Sequence, residues 1–270
     1  MFYDNKFRKQ HFKNLPTKSL IMKKTILFGL AGATLLMFSC QKDNSQDNGS
    51  AVSATEQENW LTAKLDADFA SSQEQVTAYL FSTTEFSKLV ETPNVENLQF
   101  VLGYSNKTLQ IKVIGVDKSG KELASMDSKI LKDPAYNDKL VKLENGETSK
   151  TDKGSALLNE HLMLSKEAFD GIVAWQNKLK TVTDLNEVTS YEGARFQHYS
   201  LEAAVVAEML KGGNTANIGL FLGLNAKGKV TTILVELDKN NAIKSKTSLT
   251  GKTMDNPEDV YDGARPSPPY

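Results

Sequence analysis

Cysteine, histidine and arginine are scarce in this 270-residue chain. Its one cysteine, Cys40, excludes an internal disulfide, and its three histidines give little material for a metal site. Residues 40–270 contain two arginines, Arg195 and Arg265, and 25 basic against 32 acidic side chains, a net charge of about −7. The sequence therefore predicts no metal, no cofactor and no nucleic-acid partner.

The cysteine directly follows a short apolar segment. Two lysines precede residues 25–38, which are mostly apolar or glycine, and small Ser39 comes directly before Cys40. This order is typical of a secretory signal peptide, whereas a membrane-spanning helix needs about 20 apolar residues. We predict a signal peptide over residues 1–39, with the true start at Met22. The alternative is a membrane anchor that is not cleaved.

Residues 36–40, Leu-Met-Phe-Ser-Cys, resemble the lipobox of bacterial lipoproteins. In that family the cysteine thiol is alkylated with diacylglycerol, the chain is cut before the cysteine, and the new amine is often acylated. Each buried methylene contributes roughly 0.8 kcal/mol, so two or three acyl chains anchor a protein durably. The resemblance implies a lipid anchor at Cys40 in the bacterial outer membrane.

Gln41, Lys42 and Asp43 follow the cysteine and resemble the short acidic tag by which Bacteroidota send lipoproteins to the outer face of the outer membrane. The alternative is a solvated tether that faces the periplasm. Residues 40–54 are rich in serine, asparagine, aspartate and glutamine, which cannot bury an apolar core. We predict a flexible, lipidated tether over this range.

Two segments of the sequence resemble each other at an offset of 120 residues. Residues 86–107 align without a gap to residues 206–227, with five identical positions. The same order of predicted elements on both sides favours an internal repeat. We predict an α+β fold with antiparallel sheets, built from two related α-β-α-β-β units over residues 55–133 and 155–270 and joined by a linker at 134–154.

Each unit is predicted to contain a leading helix, a short strand, a second helix and a hairpin with a third strand. Alternating apolar residues predict the strands, while capping residues and i, i+3, i+4 spacing predict the helices. In the first unit the predicted elements are a helix over 55–69 capped by Thr55 and Glu58, a strand over 76–81, a helix capped by Ser82 and Glu85, and strands over 98–104, 109–116 and 122–131. In the second unit they are a helix over 165–178, a strand over 195–199, a helix from Ser200 to Leu210, and strands over 218–224, 230–237 and 242–249.

The second unit resembles uncharacterised lipoproteins and secreted proteins of Bacteroidota. The likeness lies in Ser165-Lys166-Glu167-Ala168, in the hairpin from Ile218 to Asp238, and in Pro266-Ser267-Pro268-Pro269. That family places a cysteine where this chain has Ser267. The resemblance implies a fold and a location, and it implies no reaction.

One histidine is the only candidate for catalysis. His198 lies beside Tyr199 and six residues after Glu192, so a hydrolase would use His198 as its base with Glu192 nearby. The first unit has Ala78 at the position of His198. We therefore prefer to interpret His198 as an exposed or hydrogen-bonded strand residue.

Two pairs of residues recur in both units. Gly103 and Gly223 lie inside predicted strands, which indicates a paired bulge or a shared ligand groove. Trp60 and Trp175 lie on the leading helices, where we predict them to be core residues, with a glycan platform as the alternative.

A repeated fold without repeated polar site residues favours binding over catalysis. We therefore expect a non-catalytic, lipid-anchored envelope protein that acts as a binding or scaffold module, with a protein or a glycan as partner. The alternatives are a hydrolase that acts on envelope polymers and an accessory subunit of an uptake or secretion complex.

Overall fold

The computed structural model describes residues 52–144, 156–211, 215–247, 253–257, 260–261 and 264–269. The predicted signal peptide, the lipidation site Cys40 and the tag of Gln41, Lys42 and Asp43 lie outside these ranges. Within them, no helix is both long and apolar enough to cross a membrane. The architecture is mixed α and β with antiparallel sheets, as predicted.

The helices and strands follow the predicted order closely in both halves of the chain. The helices are α1 (Ala54–Thr62), α2 (Ala67–Glu74), α3 (Thr83–Val90), α4 (Asn137–Glu144), α5 (Ala156–Asn159), α6 (Ser165–Thr181), α7 (Leu185–Val188) and α8 (Ala203–Met209). Strands of the first half are β1 (Ala78–Ser82), β2 (Asn97–Ser105), β3 (Thr108–Val116), β4 (Glu122–Asp127) and β5 (Lys129–Leu131). Those of the second half are β6 (Leu162–Met163), β7 (Ser190–Tyr191), β8 (Ala194–Arg195), β9 (His198–Glu202), β10 (Asn217–Leu224), β11 (Val230–Leu237), β12 (Ser245–Thr247), β13 (Thr253–Pro257), β14 (Val260–Tyr261) and β15 (Arg265–Ser267).

The two predicted units exchange strands. One sheet has the order β5-β1-β10-β11-β14-β6, and the other has the order β15-β9-β2-β3-β4. Strand β1 of the first half therefore pairs with hairpin β10–β11 of the second half, and β9 of the second half pairs with hairpin β2–β3 of the first. The boundary expected at residues 134–154 consequently does not separate two sheets, and the described residues belong to one compact unit.

The residue pairs between the exchanged strands follow an internal twofold pattern. Tyr79 pairs with Leu220, and the residues that correspond at an offset of 120, Tyr199 and Phe100, pair with each other. The second half has one extra residue after residue 227, so the offset becomes 121 and Leu109 corresponds to Val230. The side chains repeat the relation, because the Tyr79 hydroxyl donates to the Leu109 carbonyl at 3.0 Å and the Tyr199 hydroxyl to the Val230 carbonyl at 2.7 Å. The similarity seen in the sequence thus has an equivalent in the hydrogen bonds.

Alternate residues of the two large sheets share one apolar core. Phe81 of β1, Phe86 of α3 and Phe100 of β2 contact one another, with ring centroids 5.7 to 6.3 Å apart. A second cluster lies on the other face of the six-stranded sheet, where helices α4 and α6 cover it. Burial of a side chain of this size contributes about 1.5–3 kcal/mol, so these two clusters account for much of the stability.

The repeated strand glycines provide space for a helix. A Cβ atom on Gly223 would lie 3.1 Å from the backbone of Gly171 in α6, and one on Gly103 would lie 2.6 Å from the Val52 side chain before α1. The pairing of β2 with β3 and of β10 with β11 is regular at both glycines. The predicted bulge is therefore wrong, and close approach of the leading helices is the reason for glycine here.

Several predicted element ends are wrong. The helix predicted over 55–69 divides into α1 and α2, and its capping box uses Ser53 and Glu56 instead of Thr55 and Glu58. The start of α1 places residues 52–54, assigned to the tether, in the folded body. Neither Ser82 nor Glu202, the residues before α3 and α8, forms a side-chain cap, and Ser200 lies within β9.

The segment predicted as a linker is partly folded. Residues 137–144 form α4, and Tyr136, Leu140 and Leu143 are almost fully buried against the six-stranded sheet. Their i, i+4, i+7 spacing is that of an amphipathic helix, which the surrounding charged residues obscure in the sequence. The remaining residues of the predicted linker, 145–154, lie outside the described ranges.

The third predicted strand of each unit also differs from expectation. Residues 122–131 divide into β4, which pairs with β3, and β5, which pairs with β1 in the other large sheet. In the second half β12 pairs with β13 in a separate two-stranded sheet. The proline-containing tail forms strand β15 and pairs with β9, which the sequence did not predict.

The two equivalent tyrosine hydrogen bonds give a direct test of the repeat. We expect Tyr79→Phe and Tyr199→Phe each to lower the free energy of unfolding by about 1–3 kcal/mol, because each leaves a buried carbonyl without its donor. Urea unfolding measures the change. Tyr104→Phe is the matched control, since the Tyr104 hydroxyl forms no hydrogen bond within the described ranges, and it should change stability little. Equal effects from all three substitutions would contradict the assignment.

Candidate functional site

His198 and Glu192 do not form a catalytic pair. His198 is half-buried at the start of β9, and Glu192 is exposed in the turn between β7 and β8. No hydrogen bond or ion pair joins the two side chains within the described part of the chain. Burial lowers the pKa of His198, while the Tyr199 hydroxyl beside it is already bonded to Val230. Glu192 therefore does not orient His198 as nucleophilic catalysis would require.

Two further kinds of site were considered in the sequence, a metal site and the lipidation site. The described residues contain no group of three or more histidine, cysteine, aspartate or glutamate side chains that could hold a metal ion. His161 lies in a small polar cleft of about 280 Å³. Cys40 and the adjoining Gln41, Lys42 and Asp43 lie outside the described ranges, so their roles stay predictions.

A cleft of about 550 Å³ lies among α2, α6, the start of β1 and the residues before α4. On α6, the i, i+3, i+7 spacing of Ile172, Trp175 and Leu179 directs these side chains to one face of the helix, and all three line the cleft. Its remaining lining residues are Ser71, Gln73, Glu74, Gln75, Val76, Thr77, Tyr79, Lys132, Asp133, Pro134, Tyr136, Asn137, Gln176, Lys180 and Leu222. The volume lies within the range of small-molecule and peptide sites.

A buried hydrogen-bond network fixes one wall of the cleft. The Gln73 amide donates from Nε2 to the Tyr79 hydroxyl at 2.9 Å and accepts at Oε1 from the Leu109 backbone N–H at 3.3 Å. The Tyr79 hydroxyl in turn donates to the Leu109 carbonyl. Burial raises the pKa of Tyr79, which therefore stays protonated at neutral pH. Every polar atom of this network thus has a partner, which makes the wall rigid.

The residues before α4 form the opposite wall. The Asp133 backbone N–H donates to Thr77 Oγ1 at 2.9 Å, and Lys139 Nζ lies 2.9 Å from the Asp133 carboxylate. The hydrogen bond from Lys139 lowers the pKa of Asp133. Burial raises the pKa of Tyr136, whose hydroxyl donates to the Asn241 carbonyl at 2.9 Å. This wall is therefore held to β1 and to the second half of the chain.

The rim of the cleft offers amides and charges of both signs. Gln176 Nε2 donates to Asn137 Oδ1 at 3.3 Å, so the two amides meet across the cleft. Glu74, Lys132 and Lys180 are exposed, and none of them forms an ion pair within the described part of the chain. A ligand would therefore meet free charges at the rim and amide groups beside the Trp175 ring.

The two tryptophans are buried, as predicted, but their environments differ. Trp60 Nε1 donates to the Phe196 carbonyl at 2.6 Å, and the Arg195 guanidinium lies over its ring at 5.0 Å from the centroid. Burial lowers the pKa of Arg195, which stays charged because its ordinary pKa is far above neutrality. Trp175 lines the cleft, is 5% exposed, and its Nε1 donates no hydrogen bond within the described ranges.

Sequence reasoning missed most of this site. Tyr136 and Asn137 fall in the predicted linker, and Gln73 and Gln176 carry no chemical signature. Only the spacing of Tyr136 with the buried leucines of α4 could have indicated an ordered segment there. The cleft can hold a ligand through amides, the Trp175 indole and rim charges, and the residues that line it include no histidine or cysteine.

The chain matches no family model, no curated protein and no solved structure. Its function must therefore be argued from the residues and the geometry of the cleft.

Proposed function

We propose that this chain is a non-catalytic, lipid-anchored envelope protein that binds a protein or a glycan in the cleft beside Trp175. The observation that carries the proposal is the cleft itself, in which the Trp175 indole and the amides of Asn137 and Gln176 line a volume of about 550 Å³. Largely preformed clefts with a few placed polar groups are typical ligand sites. The hydrogen-bonded walls support binding without a large rearrangement.

Binding is tested by screening the purified protein on a glycan array and a tiled peptide array. Any ligand found is then titrated against the wild type and Gln176→Ala. We expect at least a tenfold loss of affinity for Gln176→Ala, because its amide lies on the rim. Asn177→Ala is the matched control, since Asn177 is exposed on the same helix outside the cleft. Equal affinities for both variants would place binding elsewhere.

The proposed anchor makes a separate prediction at Cys40. Cells fed labelled palmitate should incorporate it into the wild type and not into Cys40→Ser, which should also leave the membrane fraction. The sole cysteine makes this result unambiguous, because no other thiol can carry the lipid. Ser39→Ala keeps a small residue before the cysteine and should be labelled normally. A wild type that stays unlabelled and soluble would contradict the anchor.

The proposed location is the outer membrane, where the protein faces either the cell surface or the periplasm. Gln41, Lys42 and Asp43 are proposed as the sorting tag that selects the cell surface. The negative net charge of residues 40–270 supports a solvated position away from the anionic lipid surface. Nothing in this location requires a cofactor or a nucleic-acid partner.

A further inference from the structure

The two large sheets correspond strand by strand except at one edge. The order β15-β9-β2-β3-β4 matches β5-β1-β10-β11-β14 of the six-stranded sheet, since the repeat relates β9 to β1 and hairpin β2–β3 to hairpin β10–β11. The outer strands β15 and β5 agree with this match, because Pro266 of β15 pairs with Tyr199 and Ile130 of β5 pairs with Tyr79. The six-stranded sheet then continues with β6, whereas the described residues provide no strand at that place in the five-stranded sheet.

The register of the pairing makes β4 the equivalent of β14. Strand β14 pairs with β11 at positions 121 residues after those where β4 pairs with β3. The corresponding pairs are Val113 with Met126 and Ile114 with Ser125 in one sheet, and Leu234 with Tyr261 and Val235 with Val260 in the other. Tyr261 and Val260 also pair with β6 on their other side. Met126 and Ser125 have no such neighbour within the described part of the chain.

Ser125 directs its main chain to the open edge of β4. The Ile111 carbonyl of β3 accepts from Ser128 Oγ at 2.7 Å, so the main chain of Ile111 faces the β4 side. Main-chain directions alternate along a strand, so Val113 also faces β4, and its partner Met126 faces back to β3. Ser125, which is exposed, consequently directs its N–H and C=O away from the sheet. Edge groups of this kind can add another strand.

A groove of about 470 Å³ lies between α3 and β4. Residues 124–129 line one side, and α3 with Thr92 lines the other. The apolar lining residues are Leu89, Ala124 and Met126. In the second half α5 packs on α8, the equivalent of α3, and β6 follows α5 in the chain. The segment from α5 to β6 thus fills a place that the first half leaves as a groove.

We propose that an extended segment of a partner protein adds to β4 as an antiparallel strand, at the place that β6 takes beside β14. The antiparallel pairs of β6 with β14 are Leu162 with Tyr261 and Met163 with Val260. The partner residue opposite Met126 has its side chain on the same face as Met126, and it is apolar, as Leu162 is at the equivalent place. The next partner residue, opposite Ser125, exchanges main-chain hydrogen bonds with it.

The open edge suits a single added strand of another protein better than a second copy of this chain. Strand β6 is the outermost strand of its sheet, whereas the β4 strand of a second copy would bring its own sheet and its own α3. Two β4 strands paired antiparallel around Ser125 would also place Leu123 of each copy opposite Asp127 of the other, so an apolar side chain would meet a carboxylate. The groove shares no lining residue with the cleft beside Trp175, so this interface is additional to the proposed function.

The chain itself supplies the probe. An acetylated and amidated peptide with the sequence of residues 160–165, Glu-His-Leu-Met-Leu-Ser, is titrated into the purified protein by calorimetry. Hydrogen–deuterium exchange with mass spectrometry locates the binding. We expect saturable binding and slower exchange over residues 122–128, because the Ser125 N–H gains an acceptor. A peptide with Met163→Pro lacks the N–H that faces Ser125 and should bind about tenfold more weakly.

Ser125→Pro tests the same contact from the protein side. The Ser125 N–H faces away from β3, so proline removes an outward donor at a place where edge strands accept proline. Affinity for the peptide should fall about tenfold. Ser125→Ala is the matched control, because it keeps the N–H and should bind the peptide normally. If Ser125→Pro does not fold, the comparison of the two peptides on the wild type decides the question.

Four results would overturn the inference. The first is unchanged exchange over residues 122–128 at millimolar peptide, and the second is equal affinity for the two peptides. The third is a change of exchange confined to residues 260–261, which would show that the peptide replaces β6. The fourth is a dimer of the free protein that Ser125→Pro abolishes, which would assign the edge to a second copy. None of these results would affect the cleft, which Gln176→Ala tests separately.

Discussion

The two halves of this chain, produced as separate polypeptides divided between Glu144 and Ala156, should each fail to fold alone and should fold when mixed. Each large sheet contains a strand from the other half, because β1 pairs with β10 and β9 pairs with β2. A half on its own therefore keeps only part of a sheet, β2-β3-β4 or β10-β11-β14-β6, with an unpaired edge strand and an exposed apolar face. An unpaired apolar edge of this kind favours aggregation over folding.

Circular dichroism and size-exclusion chromatography measure this outcome. Each half should lack a cooperative thermal transition, and the mixture should elute as a one-to-one complex that melts cooperatively. The control is the intact chain with a protease site inserted between residues 144 and 156, which should remain assembled after cleavage. Cooperative melting of either half alone would show that it forms an independent unit and would contradict the strand exchange.

Local patterns in the sequence predicted the hairpins well. Strands predicted over 98–104 and 218–224 are observed as β2 and β10, each extended by one or two residues. The turns after both hairpins also depend on local residues. Asp117 accepts at Oδ1 from two backbone N–H groups, and Asp238 does the same at the equivalent position. Such features depend on neighbouring residues, so alternation and turn chemistry suffice to find them.

Pairings between distant residues could not be predicted in the same way. Alternating apolar residues predict a strand over Val76–Phe81. They do not show whether this strand pairs with the strand predicted over 98–104 or with the one over 218–224. Both hairpins offer the same apolar pattern, because they are related by the repeat. The exchange depends on which arrangement buries more apolar surface across the whole molecule, which no local segment determines.

The cleft could not be predicted from the sequence for a related reason. Its lining residues come from α2, the segment before α4, and α6, which the sequence places in the first unit, the linker and the second unit. Each segment alone has an ordinary composition.

A second difference between the halves lies at the end of each hairpin. In the second half Glu236 and Lys244 form a buried ion pair at 3.0 Å, and Thr215 hydrogen-bonds to both side chains. In the first half the equivalent residues are apolar or glycine: Val95 for Thr215, Gly115 for Glu236, and Leu123 for Lys244. A Cβ atom on Gly115 would lie 2.9 Å from the Val95 side chain, so the first half fills this volume with apolar packing.

We expect Glu236→Ala to lower the free energy of unfolding by about 3–5 kcal/mol, because it leaves the Lys244 ammonium buried without its carboxylate. The triple variant Thr215→Val, Glu236→Gly, Lys244→Leu copies the first half and should recover most of that loss, since apolar packing can replace a buried ion pair at little net cost. Urea unfolding compares the two variants.

The matched control is Asp170→Ala, which breaks the exposed ion pair between Lys166 and Asp170 and should cost less than about 1 kcal/mol. A loss below 1 kcal/mol for Glu236→Ala would show that water reaches Lys244 and that the pair is not effectively buried. A triple variant less stable than Glu236→Ala would show instead that the two hairpin ends are not interchangeable. The expected order of stability is wild type, then the triple variant, then Glu236→Ala, because an uncompensated buried charge costs more than either complete arrangement.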